Sequence, residues 1–128
     1  MKPTRVLKTA ALAVVGAVVM FAAVRVVLAA TNLDFTLHND TGKSIHELYV
    51  SGHDDDDWGD DVLGRDILTQ GEAVEIKFSK GKQSAAYDLK VIFDDKTNST
   101  WSNFDLTQIT DITLYFKDGT PFAHSENK

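Results

Sequence analysis

The chain has 128 residues, with 13 Lys and Arg against 19 Asp and Glu, a formal net charge of −6, and no cysteine. That length leaves no room for two ordinary domains. The missing thiol excludes disulfides, thiol catalysis, cysteine-ligated zinc and a lipid-modified N-terminal cysteine.

Lys2, Arg5 and Lys8 give the chain a positive start. Ala10 to Val24 is an unbroken apolar run, and Val27-Leu28-Ala29-Ala30 ends it on small residues. This order predicts a secretory signal peptide over residues 1–30, cleaved near Ala29 or Ala30. The apolar run is shorter than the roughly 20 residues a spanning helix needs, and Arg25 interrupts it. Extended to Ala30, the same stretch gives the alternative of an uncleaved anchor with one snorkelling arginine. No twin arginine is present, which points to the general export route. An exported domain without disulfides suits a bacterial envelope, periplasmic or extracellular.

Four basic residues lie in this leader and all acidic ones follow it, leaving 9 basic against 19 acidic side chains, a balance of −10. So negative a surface disfavours nucleic acid and anionic lipid, and confines membrane contact to an uncleaved N-terminal segment. It suits a divalent cation or a basic protein partner.

The rest reads as short strands between turn clusters. Leu33 to Leu37 alternates apolar and polar residues with period two, and Asn39-Asp40-Thr41-Gly42 has turn chemistry. Ile45 to Ser51 resumes strand composition before an acidic loop. Val62-Leu63-Gly64 and Asp66-Ile67-Leu68 are apolar pieces suited to docking the far end of that loop on the core. Ala73 to Phe78 alternates cleanly after Gln70-Gly71-Glu72, and Tyr87 to Phe93 sets Tyr87, Leu89, Val91 and Phe93 on one face. Asp94 to Asn98 reads as a hairpin loop into Ser99 to Phe104, and Asp105 to Thr110 as one short helical turn. Asp111 to Phe116 is the last expected strand, and the polar residues from Lys117 are expected to fray. The expectation is an all-β fold, a six- to seven-stranded antiparallel sandwich or open barrel over 31–116, with a flexible tail at 117–128.

The acidic loop runs His53-Asp54-Asp55-Asp56-Asp57-Trp58-Gly59-Asp60-Asp61. Carboxylates this dense must be solvated or neutralised by a cation or basic partner. Calcium takes six to eight oxygen ligands, so Asp54, Asp55, Asp57, Asp60 and Asp61 are the candidate metal ligands and Ca²⁺ the candidate ion. The loop departs from the EF-hand pattern. Counted from Asp55, Asp60 occupies the position that requires glycine, and Gly59 occupies one that requires a side-chain oxygen.

Trp58 is expected to fold back on the sheet beside a Gly59 turn, and Asp60 and Asp61 to cap a short turn. His53 with Asp54 or Asp57 would be the general base of a small envelope hydrolase, the alternative to a non-enzymatic binding module. A third reading is a structural accessory of an envelope complex. Ser51-Gly52-His53-Asp54 has triad residue types, but neighbours on an extended segment point to opposite faces, and there is no Gly-x-Ser-x-Gly elbow. His38 and His46 flank a turn and are placed to face each other across a hairpin. Lys77, Lys80 and Lys82 form a basic turn able to pair with the acidic loop. Asn39-Asp40-Thr41 and Asn98-Ser99-Thr100 are glycosylation sequons by pattern.

Several of these segments together carry a resemblance. They are Asn39 to Gly42, Ile45 to Ser51, Asp57-Trp58-Gly59-Asp60-Asp61-Val62-Leu63-Gly64, Gly71, and Tyr87-Asp88-Leu89. Nearly the whole mature chain resembles a family of small exported bacterial β domains without an established function. Some proteins of this pattern carry the name argininosuccinate lyase. That enzyme is far larger and mostly helical, and nothing in this chain supplies its fold. The resemblance therefore implies an exported β domain and no reaction.

Overall fold

A computed structural model describes residues 7–11, 33–78 and 84–128. Its strands, in chain order, are β1 (Leu7–Ala11), β2 (Phe35–Asp40), β3 (Ile45–Gly52), β4 (Ala73–Lys77), β5 (Tyr87–Phe93), β6 (Asn98–Phe104), β7 (Ile109–Lys117) and β8 (Thr120–Asn127). A single 3-10 turn, Leu106–Gln108, sits where the short helical turn was expected, capped by the Asp105 carboxylate on Thr107 N–H. The expected leader falls outside the described residues except for β1, whose backbone runs parallel to β4 from Leu7 opposite Ala73 to Ala11 opposite Lys77. No helix among the described residues is long and apolar enough to cross a membrane.

The strands form two sheets, ordered β1-β4-β2-β7-β8 and β3-β5-β6. Pairing is antiparallel except between β2 and β7 and between β1 and β4. The sheets remain open, so the fold is a sandwich and not a closed barrel. The expected domain holds six strands, β2 to β7, within the expected six to seven, and β8 is a seventh beyond it.

Period-two alternation explains why these segments are strands. β5 alternates buried and half-buried residues along its whole length, and β2 does so over its first five positions. Leu37, Ile45, Leu48, Leu68, Ile76, Leu89, Val91, Ile112 and Leu114 are wholly shielded from solvent and fill the space between the sheets. Each such aliphatic side chain contributes about 1.5–3 kcal/mol. Two aromatic groups extend the core at its ends. Phe93, Phe116 and Trp101 meet at one end, and Phe35, Phe78 and Tyr87 at the other.

Two expectations need correction. The polar tail does not fray, because Thr120–Asn127 forms β8, paired antiparallel with β7 from Lys117 opposite Thr120 to Ile109 opposite Asn127. The reason is the turn between them. Asp118 and Gly119 both have positive φ (53° and 80°), the two-residue geometry whose twist matches that of flanking strands. The second concerns His38 and His46. β2 and β3 belong to different sheets, because the chain crosses the sandwich between them, so no hairpin brings these histidines face to face. His38 instead meets Asp111 of the neighbouring parallel strand, Nε2 to Oδ2 2.7 Å. That contact holds the Asp111 carboxyl below its ordinary range.

Asn39 secures the crossing. It is 1 % exposed, donates from Nδ2 to Lys43 O (2.8 Å) and Leu68 O (2.9 Å), and accepts on Oδ1 from Thr41 N–H and Oγ1. Both amide hydrogens and the amide oxygen are therefore used inside the fold. A glycan at this sequon would need the same buried nitrogen, so the Asn-Asp-Thr pattern here serves structure.

Candidate functional site

β3 is an edge strand, paired on one side with β5. Its other side would expose unpaired backbone groups, a liability for any sheet. The residues after the acidic loop cover it. Val62 N–H donates to Leu48 O (2.8 Å), and Ile45 and Leu68 exchange both backbone hydrogen bonds, at 2.9 and 3.0 Å. Val62, Leu63 and Leu68 are buried, so the apolar pieces do dock on the core. The Asp61 carboxylate completes the cover. Its Oδ1 accepts from Leu48 N–H at 2.9 Å and from Leu63 N–H at 3.0 Å. Asp61 thus caps the 62–65 turn and also stands in for a missing strand partner.

At the other end of the loop, His53 N–H donates to Ala86 O and the His53 ring meets Asp88, Nδ1 to Oδ1 2.9 Å. Asp88 Oδ1 also accepts from Asn103 N–H at 3.0 Å, which ties this contact to β6. Sequence reasoning paired His53 with Asp54 or Asp57. Neither makes that hydrogen bond, because alternation on β5 turns Asp88 outward directly opposite Ser51, beside the start of the loop. Gly52 is needed here for space, since a Cβ would lie 2.2 Å from Ser84 Oγ.

The hydrogen bond to Asp88 and then its charge raise the His53 pKa above its ordinary value; desolvation opposes them, and the charge of Asp54 adds a lesser push upward. The folded state therefore holds the His53 proton more tightly than the unfolded state. This contribution to stability is complete below the unfolded value near 6.5 and is lost as pH rises through the higher folded value. The expected result is an NMR titration of the His53 ring displaced upward, returning towards 6.5 in Asp88→Asn. An unchanged midpoint in that variant would refute the pairing.

Between these clamps the loop crosses the outer face of the three-stranded sheet. Ser51 Oγ donates to Asp57 O (2.9 Å), and Gly59 N–H donates to Asp57 Oδ1 (3.0 Å). Gly59 takes φ +76°, a conformation strained for other residues. Trp58 is half-buried, with the Lys90 ammonium 5.7 Å from its ring centroid, and the same ammonium lies 5.7 Å from the Tyr49 ring. The Tyr49 hydroxyl donates to Glu47 Oε1. This bond, with desolvation and the charges of Glu47 and Asp61, pushes the phenol up to about 12. The tryptophan therefore belongs to a packed aromatic and lysine layer on the sheet.

The candidate metal ligands separate into two groups. Asp61 is half-buried and Asp57 exposed, and both accept from backbone N–H groups, whereas the exposed Asp54, Asp55, Asp56 and Asp60 extend into solvent. Among the described residues no three His, Asp or Glu side chains are grouped so as to hold a metal ion. Lys80 and Lys82 fall outside the described residues, and Lys77 lies 3.9 Å from Glu75 on its own strand. Two functional details escaped sequence reasoning. Asp88 was legible as an outward residue but not as the partner of His53, and Asp61 was legible as a turn cap but not as a bridge to Leu48.

No family model, curated protein or solved structure matches the chain.

Proposed function

We propose that this chain is an exported, non-enzymatic β-sandwich binding module whose acidic loop docks a basic protein segment. One observation carries the reading. The loop is fixed at both ends, by His53 on Asp88 and by Asp61 on Leu48, while Asp54, Asp55, Asp56 and Asp60 stay exposed between the clamps. A fixed strip of outward carboxylates offers charge complementarity to a cationic chain without the ordering cost of a free loop. The resemblance to small exported bacterial β domains and the expected leader support a module of the envelope or the outside of the cell. Ca²⁺ is the competing occupant of the same carboxylates. Asp61 argues for the peptide, because its Oδ1 already accepts two backbone hydrogens.

The test is a titration with an oligolysine peptide, read by Trp58 fluorescence in a Trp101→Phe background. Binding is expected to weaken steeply with salt and to be lost when Asp54→Asn, Asp55→Asn, Asp56→Asn and Asp60→Asn are combined. No binding at low salt, or binding indifferent to that combination, would overturn the proposal. A calcium-dependent rise in melting temperature that vanishes in the same variant would assign the loop to the ion instead.

A further inference from the structure

The acidic charge of this chain is distributed unevenly around the sandwich. β6, Asn-Ser-Thr-Trp-Ser-Asn-Phe, has no charged side chain, and β8 has one acidic residue, Glu126, with His124 beside it. Both strands are at sheet edges, and they lie on the same flank, joined where Trp101 Nε1–H of β6 donates to Phe122 O of β8 at 2.9 Å. Here a second acidic molecule can approach without the repulsion it meets elsewhere. Among the described residues β8 pairs only with β7, and its residues are exposed except for half-buried Ala123. Pro121 and Lys128 stand at the two ends of this edge, and the stretch between them, Phe122 to Asn127, has neither of these devices that commonly blunt an open edge. Phe122 is 42 % exposed, its ring stacked on Tyr115 at 5.8 Å between centroids.

We propose that two copies of this chain associate through β8, antiparallel about a two-fold axis at Ser125, extending the larger sheet across the dimer. The sequence around Ser125 is self-complementary in this register. His124 falls opposite Glu126 of the second copy, and Glu126 opposite its His124. An imidazole N–H facing a carboxylate across an antiparallel pair offers a hydrogen bond, and the two-fold makes every such pair occur twice. Within one copy His124 Nε2 and Glu126 Oε2 are already 3.2 Å apart, so the dimer would gather four such groups into one alternating set. The acidic loop is on the other sheet, next to its opposite edge, β3, so dimerisation leaves it open to its own partner.

Sedimentation equilibrium of the purified protein should show a concentration-dependent dimer. His124→Glu, which sets glutamate against glutamate twice, should weaken it by roughly tenfold. Adding Glu126→His to that variant should restore it, since the swapped pair is complementary in the same register. The cysteine-free chain allows an independent test, because opposed Ser125 positions lie within disulfide reach in an antiparallel pair. Ser125→Cys is expected to oxidise to a covalent dimer, and Ser102→Cys on β6 to remain monomeric. A protein monomeric at every concentration, a dimer indifferent to His124→Glu, or equal cross-linking of the two cysteine variants would overturn the proposal.

Discussion

Asn39→Ala should lower the unfolding free energy by about 3–5 kcal/mol, measured by urea denaturation. The estimate counts the groups left behind. A hydrogen bond made inside a protein contributes roughly 1 kcal/mol net, but a buried group stripped of its partner costs about 1–3 kcal/mol. Removing the amide leaves the Thr41 N–H without its acceptor and takes a donor from each of Lys43 O and Leu68 O. Those carbonyls retain one donor each, from Thr41 Oγ1 and Ile45 N–H, which keeps the cost below that of three fully orphaned groups. Asn39→Asp is the sharper test. It preserves an acceptor for Thr41 but sets a buried negative charge against two carbonyl oxygens, so it should be at least as damaging at neutral pH and milder in acid. A loss under about 1 kcal/mol for both variants would mean that the crossing between the sheets is held by other contacts.

The difference between what could be read from the residues and what could not follows from the range of the interactions. Tyr87–Phe93 was legible to the residue because alternation is a local signal, set by the two faces of one strand. The Asp118-Gly119 hairpin was equally local, yet the polar composition of β8 concealed it. That strand buries little apolar surface and is held mainly by its ladder and by the indole of Trp101. The assignment of neighbours was not legible at all. Nothing near His38 in sequence points to Asp111, which is 73 residues away. Nor does anything near His53 select Asp88 over the four aspartates that follow it directly. Charge density singled out the acidic loop correctly as a surface feature, but charge alone did not separate carboxylates that face solvent from those that hold backbone.

Asp61 shows that separation most clearly, and Asp61→Ala is expected to cost about 2–4 kcal/mol. The Leu48 and Leu63 N–H groups both end on its Oδ1, and hydrogen bonds to a charged acceptor contribute about 1.5–3 kcal/mol each, with partial recovery from water at a half-buried site. Asp61→Asn retains an oxygen in the same place and should lose only about 1 kcal/mol. Amide exchange should localise the damage, with Leu48, Val62 and Leu68 losing protection together as segment 62–68 lifts from the edge of β3. Neighbouring aspartates provide the contrast. Asp56 and Asp60 are exposed without a hydrogen bond to any described residue, so their alanine variants should change stability by less than about 0.5 kcal/mol. Calcium distinguishes this role from metal ligation. A structural Asp61 costs the same to remove in chelator as in excess Ca²⁺, whereas a ligand would show its penalty only when the ion is present. An Asp61→Ala deficit that appears with calcium and disappears with chelator would return Asp61 to a metal site and take the basic-segment reading with it.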